Sequence, residues 1–358
     1  MSRYSVRWKK HNLQFRFKAG TSRGFLDLKE TWYIMIHDLE EGLLGIGEAG
    51  LLKGLSLDDR NDFEEKLSGW CKRIESQLNL YGAIDQSLNI PLELPSIRMG
   101  FETAWLDLQH GGIRMIFEND FFNGNKSIPI NGLIWMGDME FMIQQAIDKL
   151  EKGFDCIKMK IGAIDFNTEL DVLRKIRNQY STEKVILRVD ANGAFHPDEA
   201  LSKLEALHKL GIHSIEQPIR KGNIEMMKKL CRESPVPIAL DEELIGVRSL
   251  GEKESLLQVI KPQFIILKPT LLGGFTETRE WIELADKSGI GWWITSSLES
   301  NIGLNAICQF VAEFENNMHQ GLGTGQLYKN NVRAPLEVDD GMIRYRQDNE
   351  WNLKLLGV

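Results

Sequence analysis

The chain between residues 156 and 268 contains five short apolar runs, each with a charge at or near its end: CIKMK (156–160), ILRVD (186–190), SIEQP (214–218), PIALD (237–241) and FIILK (264–268). The charged ends follow one another at intervals of 25 to 30 residues. One strand, one helix and two short loops take up about this length. A βα unit repeated at this period is typical of a parallel barrel.

The charges at the strand ends predict where a functional site lies. A barrel buries its strands on both faces, so charged residues belong only at the open ends. The carboxyl ends of parallel strands meet on one face, where barrel active sites are found. Three carboxylates and three lysines are therefore expected at one mouth: Asp190, Glu216, Asp241, Lys158, Lys160 and Lys268.

Length and composition limit the class of protein. With 358 residues the chain has room for a second domain beside a barrel of about 200–250 residues. A net charge of −8 argues against nucleic acid or an anionic membrane as a partner. The four cysteines show no CxxC spacing, and no signal peptide or membrane span is evident, which favours reduced thiols and a cytoplasmic location. The oligomeric state is left undetermined.

Hydrophobic periodicity predicts two units and a returning tail. Residues 1–126 read as an α+β layer, residues 127–325 as the barrel, and residues 326–358 as a segment that returns to the first unit. The barrel is expected to begin with a strand at Ile128–Ile134 and to end with a short one at Gln320–Thr324. In the tail, Ala334–Tyr345 and Trp351–Leu356 resemble strands.

Lys158 and Lys160 are two residues apart, so on a strand they point to the same side. A lone pair of this kind is usually exposed, but the apolar flanks of this pair indicate burial. Two neighbouring ammonium groups are expected to lower each other's pKa, which would make a lysine usable as a base near neutral pH.

The three carboxylates Asp190, Glu216 and Asp241 end consecutive strands. Singly, each would be read as a solvated loop residue or a helix N-cap. Together they need a cation between them, and oxygen ligands without histidine or cysteine point to Mg²⁺, with Mn²⁺ as a substitute, rather than zinc.

Three other features of the sequence are interpreted mainly as structural rather than catalytic. No histidine is needed for the chemistry, and Gly273–Gly274 is expected to form a tight βα turn rather than a phosphate cradle. The loops Gly20–Gly24 and Gly50–Ser56 are plain turns if taken alone. They carry Arg23 and Lys53, however, and we expect them to close over the barrel mouth and to bind an anionic substrate.

Five motifs resemble the enolase superfamily and its muconate-lactonising subgroup: IKMKIG (157–162), VDANGAF (189–195), IEQPI (215–219), ALDEEL (239–244) and LKPTLLGGF (267–275). The resemblance spans nearly the whole chain, because the N-terminal unit is similar to the capping domain of that superfamily. It implies an α/β fold: a modified (β/α)8, TIM-like barrel with an N-terminal α+β capping domain that the C-terminal tail completes.

Three further stretches are most similar to the o-succinylbenzoate synthases of menaquinone biosynthesis: PSIRMGFE (95–102), TSSLESNIG (295–303) and GLGTGQLYKNN (321–331). That family dehydrates a succinyl-cyclohexadiene carboxylate, so a small-molecule carboxylate is the expected ligand. The loop GEAGLLKG (47–54) lacks the proline that many relatives have, which leaves the shape of this loop open.

Carried over position by position, the resemblance assigns a role to each site residue. Asp190, Glu216 and Asp241 would bind Mg²⁺. Lys160 would remove the proton α to the substrate carboxylate, Lys268 would face the other side of the enediolate, and Lys158 would tune Lys160 and contact the carboxylate. Asn192, two residues after Asp190, would support this part of the site. Ser296, Ser297 and Gly323 would recognise the succinyl tail of the substrate.

Two other functions remain open at this point. An N-acylamino acid racemase or dipeptide epimerase could use the same two lysines on opposite faces. An epimerase is expected to place an Asp-x-Asp pair on the eighth strand, where this chain has Gly323–Thr324–Gly325. A non-catalytic barrel protein is the third reading, and the intact set of carboxylates and lysines counts against it.

Overall fold

The N-terminal unit is a three-stranded antiparallel sheet, in the order β1-β2-β3, with two helices. The computed structural model describes residues 2–21, 24–84 and 89–357. The elements of this unit are β1 (Tyr4–Thr21), β2 (Gly24–Asp38), β3 (Leu43–Ala49), α1 (Phe63–Tyr81) and α2 (Pro95–Gln109).

Glycines allow α2 to lie directly on this sheet. A Cβ at Gly47 would come within 1.9 Å of the backbone oxygen of Gly100, and a Cβ at Gly100 would come within 2.8 Å of Ile34 Cδ1. A side chain at either position would therefore separate the helix from the sheet.

A parallel sheet of seven strands, ordered β5-β6-β7-β8-β9-β10-β11, forms the second unit. Its strands are β5 (Gly132–Ile134), β6 (Cys156–Lys160), β7 (Ile186–Asp190), β8 (Ser214–Glu216), β9 (Ile238–Leu240), β10 (Phe264–Leu267) and β11 (Gly291–Ile294), and β4 (Ile128–Pro129) precedes them. The helices are α3 (Met139–Glu151), α4 (Phe166–Gln179), α5 (Pro197–His208), α6 (Ile224–Glu233), α7 (Leu250–Ile260), α8 (Pro269–Leu272), α9 (Phe275–Lys287) and α10 (Asn301–Ala312). The predicted αβ barrel is confirmed.

Two single-residue bridges take the place of an eighth strand. Gln320 pairs with Ile130, and Gly321 pairs with Thr295, both in parallel register. They join the two edges of the seven-stranded sheet. The predicted strand at Gln320–Thr324 is wrong beyond these bridges, because the chain turns into a 3₁₀ helix at Gly323–Leu327.

Helix α2 fastens the N-terminal unit to the barrel. Glu102 accepts hydrogen bonds from the backbone nitrogens of Phe275 (2.6 Å) and Thr276 (3.1 Å) and from the Thr276 hydroxyl (2.7 Å). A carboxylate at this position satisfies free N–H groups at the start of α9. Gly274, with φ +98°, leaves room for that carboxylate, since a Cβ there would lie 2.1 Å from Glu102 Oε2.

The C-terminal tail divides between the two units. Strands β12 (Leu336–Asp339) and β13 (Met342–Tyr345) form a hairpin, and β13 pairs with β4 of the second unit. Tyr345, at the end of β13, also packs against Phe122 of residues 1–126. The strand predicted at Trp351–Leu356 is wrong: this segment ends in a 3₁₀ helix, whose Leu356 packs with residues of β2 and β3. The domain limits 1–126, 127–325 and 326–358 stay a prediction.

Candidate active site

Six charged side chains lie at the carboxyl ends of neighbouring strands. Lys160 pairs in register with Asp190, and Asp190 with Glu216, so β6, β7 and β8 end side by side. Asp241 and Lys268 directly follow β9 and β10. The structure therefore brings together the lysines and carboxylates that the strand pattern predicts.

Lys158 lies between two buried carboxylates. Its Nζ is 3.0 Å from Asp190 Oδ2, and it also forms an ion pair with Glu216 Oε2. Asp190 and Glu216 are only 1% and 2% exposed. Charges so far from water are stable only when they are paired and hydrogen-bonded.

Lys160 faces the cavity at the end of the same strand. Its Nζ donates to Asp190 Oδ2 at 3.1 Å and to Asn192 Oδ1 at 2.8 Å. Asn192 in turn donates from Nδ2 to Glu242 Oε1 at 3.2 Å, and its backbone adopts a left-handed conformation with φ 45°. Asn192 therefore orients the Lys160 ammonium.

Lys268 lies on the far side of the carboxylates, directly after β10, which is four strands from β6 in the sheet. Its Nζ forms an ion pair with Asp241 Oδ2 and lies 3.6 Å from Glu216 Oε1. A ligand above the carboxylates would thus have Lys160 on one side and Lys268 on the other.

Burial and pairing act in opposite directions on the acidic groups. Burial would raise the pKa of Asp190, but Lys158 and Lys160 outweigh it and hold this pKa well below its usual value. The pKa of Glu216 is raised by burial, and the charge of Asp190 adds to the increase. Burial also raises the pKa of Asp241.

Lys158 and Lys268 are held in their charged form. Burial acts to lower the pKa of Lys268 and of Lys158, yet both lie above the usual value because Asp241 pairs with Lys268, and Asp190 and Glu216 with Lys158. The predicted lowering of the pKa by a neighbouring ammonium is therefore wrong for Lys158. The sequence did not show how closely the carboxylates approach it.

The donor set fits a divalent cation by its chemistry. Asp190, Glu216 and Asp241 offer only oxygen ligands, and Glu216 Oε1 is buried with no hydrogen-bond partner among the described residues. The present arrangement contains no preformed metal site: among residues 2–21, 24–84 and 89–357, no group of three acidic, histidine or cysteine side chains surrounds a position for one ion. Each of the three carboxylates pairs with a lysine instead.

Gln217 is a site residue that the sequence interpretation missed. It is fully buried, has φ 41°, and follows Glu216 directly. Its Oε1 accepts from the backbone nitrogens of Asp241 (3.2 Å) and Glu243 (3.3 Å), and its Nε2 donates to Ile219 O and Glu243 Oε2, both at 3.0 Å. One amide thus holds the ends of β8 and β9 together. The IEQP motif contained the residue, but nothing in its spacing indicated these contacts.

A cavity of about 450 Å³ covers the strand ends. The N-terminal unit contributes Leu52, Lys53 and Leu55 to its lining, and the barrel contributes Lys158, Lys160, Asp190, Asn192, Lys268, Ser296, Ser297 and Gly323. The loop Gly50–Ser56 therefore lies over the barrel mouth. Arg23 lies outside the described residues, although Gly20, near the end of β1, bridges to Met136 just after β5.

The apolar wall of the cavity was also missed. Phe17, Leu26, Trp135 and Leu298 line it and belong to one hydrophobic cluster between the two units. In the sequence such residues are indistinguishable from ordinary strand core. Gly273–Gly274 turn the chain, with positive φ angles of 108° and 98°, but the predicted βα turn is wrong in its place: the two glycines connect α8 to α9, since α8 follows β10.

The comparisons with known proteins agree with this geometry. Residues 142–349 match the family model of the enolase C-terminal domain-like proteins. The o-succinylbenzoate synthase of Desulfotalea psychrophila is 43% identical over 96% of this chain and 99% of that protein. The crystal structure of MenC from the same organism has a TM-score of 0.84 at 40% identity and covers 96% of this chain and 100% of that one.

An epimerase is more distant. The L-Ala-D/L-Glu epimerase of Bacillus subtilis is 28% identical over 58% of this chain and 53% of its own length. Among the described helices of this chain, none has the length and hydropathy needed to cross a membrane. With a family model that covers more than half of its residues and a relative similar along almost its full length, the chain belongs to the enolase superfamily and, within it, to the family of the o-succinylbenzoate synthases.

Proposed function

We propose that this protein is an Mg²⁺-dependent o-succinylbenzoate synthase. It would dehydrate 2-succinyl-6-hydroxy-2,4-cyclohexadiene-1-carboxylate to o-succinylbenzoate, a reaction of menaquinone biosynthesis. The observation that carries the proposal is the similarity to the Desulfotalea psychrophila enzyme, which extends over both units and the tail.

The chemical difficulty of this reaction is the weak acidity of a proton α to a carboxylate. Removing that proton places a second negative charge on the substrate, which is stable only beside concentrated positive charge. Bound Mg²⁺, held by Asp190, Glu216 and Asp241, would supply part of that charge. Lys158, buried between Asp190 and Glu216, is placed to supply more on the same side.

Lys160 is assigned the proton transfer. It points into the cavity, and the Asn192 amide oxygen at 2.8 Å directs its ammonium. In a syn elimination, the proton that Lys160 takes from carbon returns to the hydroxyl group that departs from the same face, so that water is released. One base is then sufficient, and Lys268 acts as a cation facing the other side of the enediolate.

A second candidate function is that of an N-acylamino acid racemase or dipeptide epimerase. The favouring observation is that lysines stand on both sides of the carboxylates, as a two-base exchange needs. The chain offers no acidic pair for a substrate amine where the eighth strand would be, since Gly323–Thr324–Gly325 lies there.

A substrate panel separates the two functions. The purified protein with Mg²⁺ is assayed for dehydration of the cyclohexadiene carboxylate and for racemisation of N-acylamino acids and dipeptides. We expect the dehydration to have the highest kcat/KM. Turnover of the amino acid derivatives without dehydration would reject the proposal in favour of the second candidate.

A further inference from the structure

Three buried charged side chains join the two units beside the cavity. We call Lys29 of β2, Glu48 of β3 and Glu299 of the loop between β11 and α10 the interdomain cluster. These residues are 5%, 1% and 1% exposed. They converge on Gly50, where a Cβ would lie 3.2 Å from Lys29 Nζ and 3.4 Å from both Glu48 Oε1 and Glu299 Cγ.

The cluster holds the start of the loop that covers the cavity. Lys29 Nζ donates a hydrogen bond to the carbonyl oxygen of Gly50 at 3.2 Å. Leu52 and Lys53, which line the cavity, follow within three residues. One wall of the cavity therefore begins at the interdomain cluster.

Glu299 also holds the facing wall, through Ser296. The Ser296 hydroxyl donates to Glu299 Oε2 and accepts from the Leu298 backbone nitrogen (3.1 Å) and the Thr324 hydroxyl (2.8 Å). A serine hydroxyl has one hydrogen and two lone pairs, so this group has nothing left for a ligand. By contrast, Ser297 Oγ is buried and has no hydrogen-bond partner among the described residues.

The wall that Ser296 supports is strained. Leu298 has φ 65°, a left-handed conformation that is costly for a bulky side chain. It is held there by the hydrogen bond from its nitrogen to Ser296 and by the Tyr328 hydroxyl, which donates to its carbonyl oxygen at 2.7 Å. The Leu298 side chain lines the cavity.

Glu48 connects the chain after β11, which forms the second wall, to the N-terminal sheet. It accepts hydrogen bonds from the Thr31 hydroxyl (2.6 Å) and from the backbone nitrogens of Ser300 (2.9 Å) and Gly303 (2.9 Å) at the start of α10. Both cavity walls are thus anchored on one group of buried charges.

We propose that Glu299 is a positioning residue for substrate recognition, and that it acts by holding Ser296 and Leu298 against the loop Gly50–Ser56. The free hydroxyl of Ser297 is then the donor presented to the part of the substrate remote from the reacting carbon. The identity of that substrate rests on the proposed function, whereas the coupling of the two walls does not.

A double-mutant cycle tests the proposal. Glu299→Gln and Ser296→Ala should each raise KM for the cyclohexadiene carboxylate about tenfold, the effect of losing one hydrogen bond to a charged group, with kcat changed less than about threefold. The double variant should be no worse than either single variant, because both remove the same support. Additive increases in KM would mean that Ser296 contacts the substrate itself, and would overturn the proposal.

Glu102→Gln is the matched control. Glu102 is another carboxylate that joins the two units, but it lies at the start of α9 and does not line the cavity. Its substitution should lower stability and leave KM unchanged. If Glu299→Gln behaved in the same way, the role of Glu299 would be structural only.

Hydrogen–deuterium exchange of the free protein distinguishes this proposal from the proposed function. Glu299→Gln should speed exchange in segments 50–56 and 296–300 together, and Glu102→Gln in neither. This readout decides the coupling even if the wild-type protein fails to turn over the cyclohexadiene carboxylate, an outcome that would count against the proposed function alone. Unchanged exchange in both segments of Glu299→Gln would reject the coupling.

Discussion

The side-chain amide of Gln217 offers a direct test of how the carboxylates are held in place. The variant Gln217→Glu keeps the oxygen that accepts from the backbone nitrogens of Asp241 and Glu243. It loses the donated hydrogen bonds to Ile219 O and Glu243 Oε2 and sets two carboxylates against each other.

The magnitude follows from the lost contacts. The bond to a neutral carbonyl contributes about 1 kcal/mol and the bond to a carboxylate about 1.5–3 kcal/mol. With the new repulsion, we expect a loss of about 3–5 kcal/mol, which leaves a chain of ordinary stability folded. Because the amide orients the strand end that carries Asp241, Mg²⁺ affinity should also fall about 10–100-fold.

Two measurements on the variant check this reasoning. Denaturant unfolding gives the stability, and calorimetric titration gives the Mg²⁺ affinity. The same substitution at Gln258, whose amide bonds to Glu254 on the exposed face of α7, is the matched control and should change stability by less than about 0.5 kcal/mol. A destabilised Gln217→Glu with wild-type Mg²⁺ affinity would refute the orienting role.

Three further predictions address the metal, the pH dependence and the covering loop. Glu216→Gln should weaken Mg²⁺ binding sharply in a calorimetric titration, and unchanged affinity would remove Glu216 from the ligand set. Burial raises the pKa of Glu169 to about 7 from an ordinary 4.5, so its contribution to stability is present at acidic pH and is lost as pH rises towards 8. In calorimetry the wild type should therefore lose melting temperature relative to Glu169→Gln between pH 5 and 8, and a constant difference would contradict this. Trypsin cleavage at Lys53 should slow when product and Mg²⁺ bind, and equal cleavage with and without them would argue against closure by this loop.

The strand ends of the barrel could be predicted from the sequence because two local rules agree there. Buried parallel strands are nearly continuous apolar runs, and a charge that ends such a run indicates the open end of the strand. Asp190, Glu216, Asp241 and Lys268 each obey both rules, and the structure places them on neighbouring strands. The order of residues predicts that they meet at one mouth, whereas the role of each one comes from the resemblance to the enolase superfamily.

The eighth strand position and the tail could not be predicted in this way. Gln320 and Gly321 close the sheet by single bridges, which are too short to leave an alternating pattern. The hairpin of β12 and β13 does carry a strand pattern, but its partner is decided by packing. The sequence showed the strands and not the surface they join.

The contacts that hold the cavity walls could not be predicted either, because they leave no local pattern in the sequence. Glu48 and Ser300 are 252 residues apart in the chain and meet only in the folded protein. From the sequence alone, Glu48 would be interpreted as a solvated charge near glycines, and Ser300 as the N-cap of a helix. Only the structure shows that their contact anchors the walls of the cavity.

The central claim is that Lys160 is the single base of a dehydration, and the rates of two lysine variants test it most directly. Lys160→Ala should lose the general-base contribution of about 10²–10⁴-fold or more in kcat. Lys268→Arg should retain measurable dehydration, because arginine keeps the positive charge that faces the enediolate. Circular dichroism confirms that both variants are folded. Equal and complete loss of dehydration in the two variants would contradict the account and support a two-base reaction.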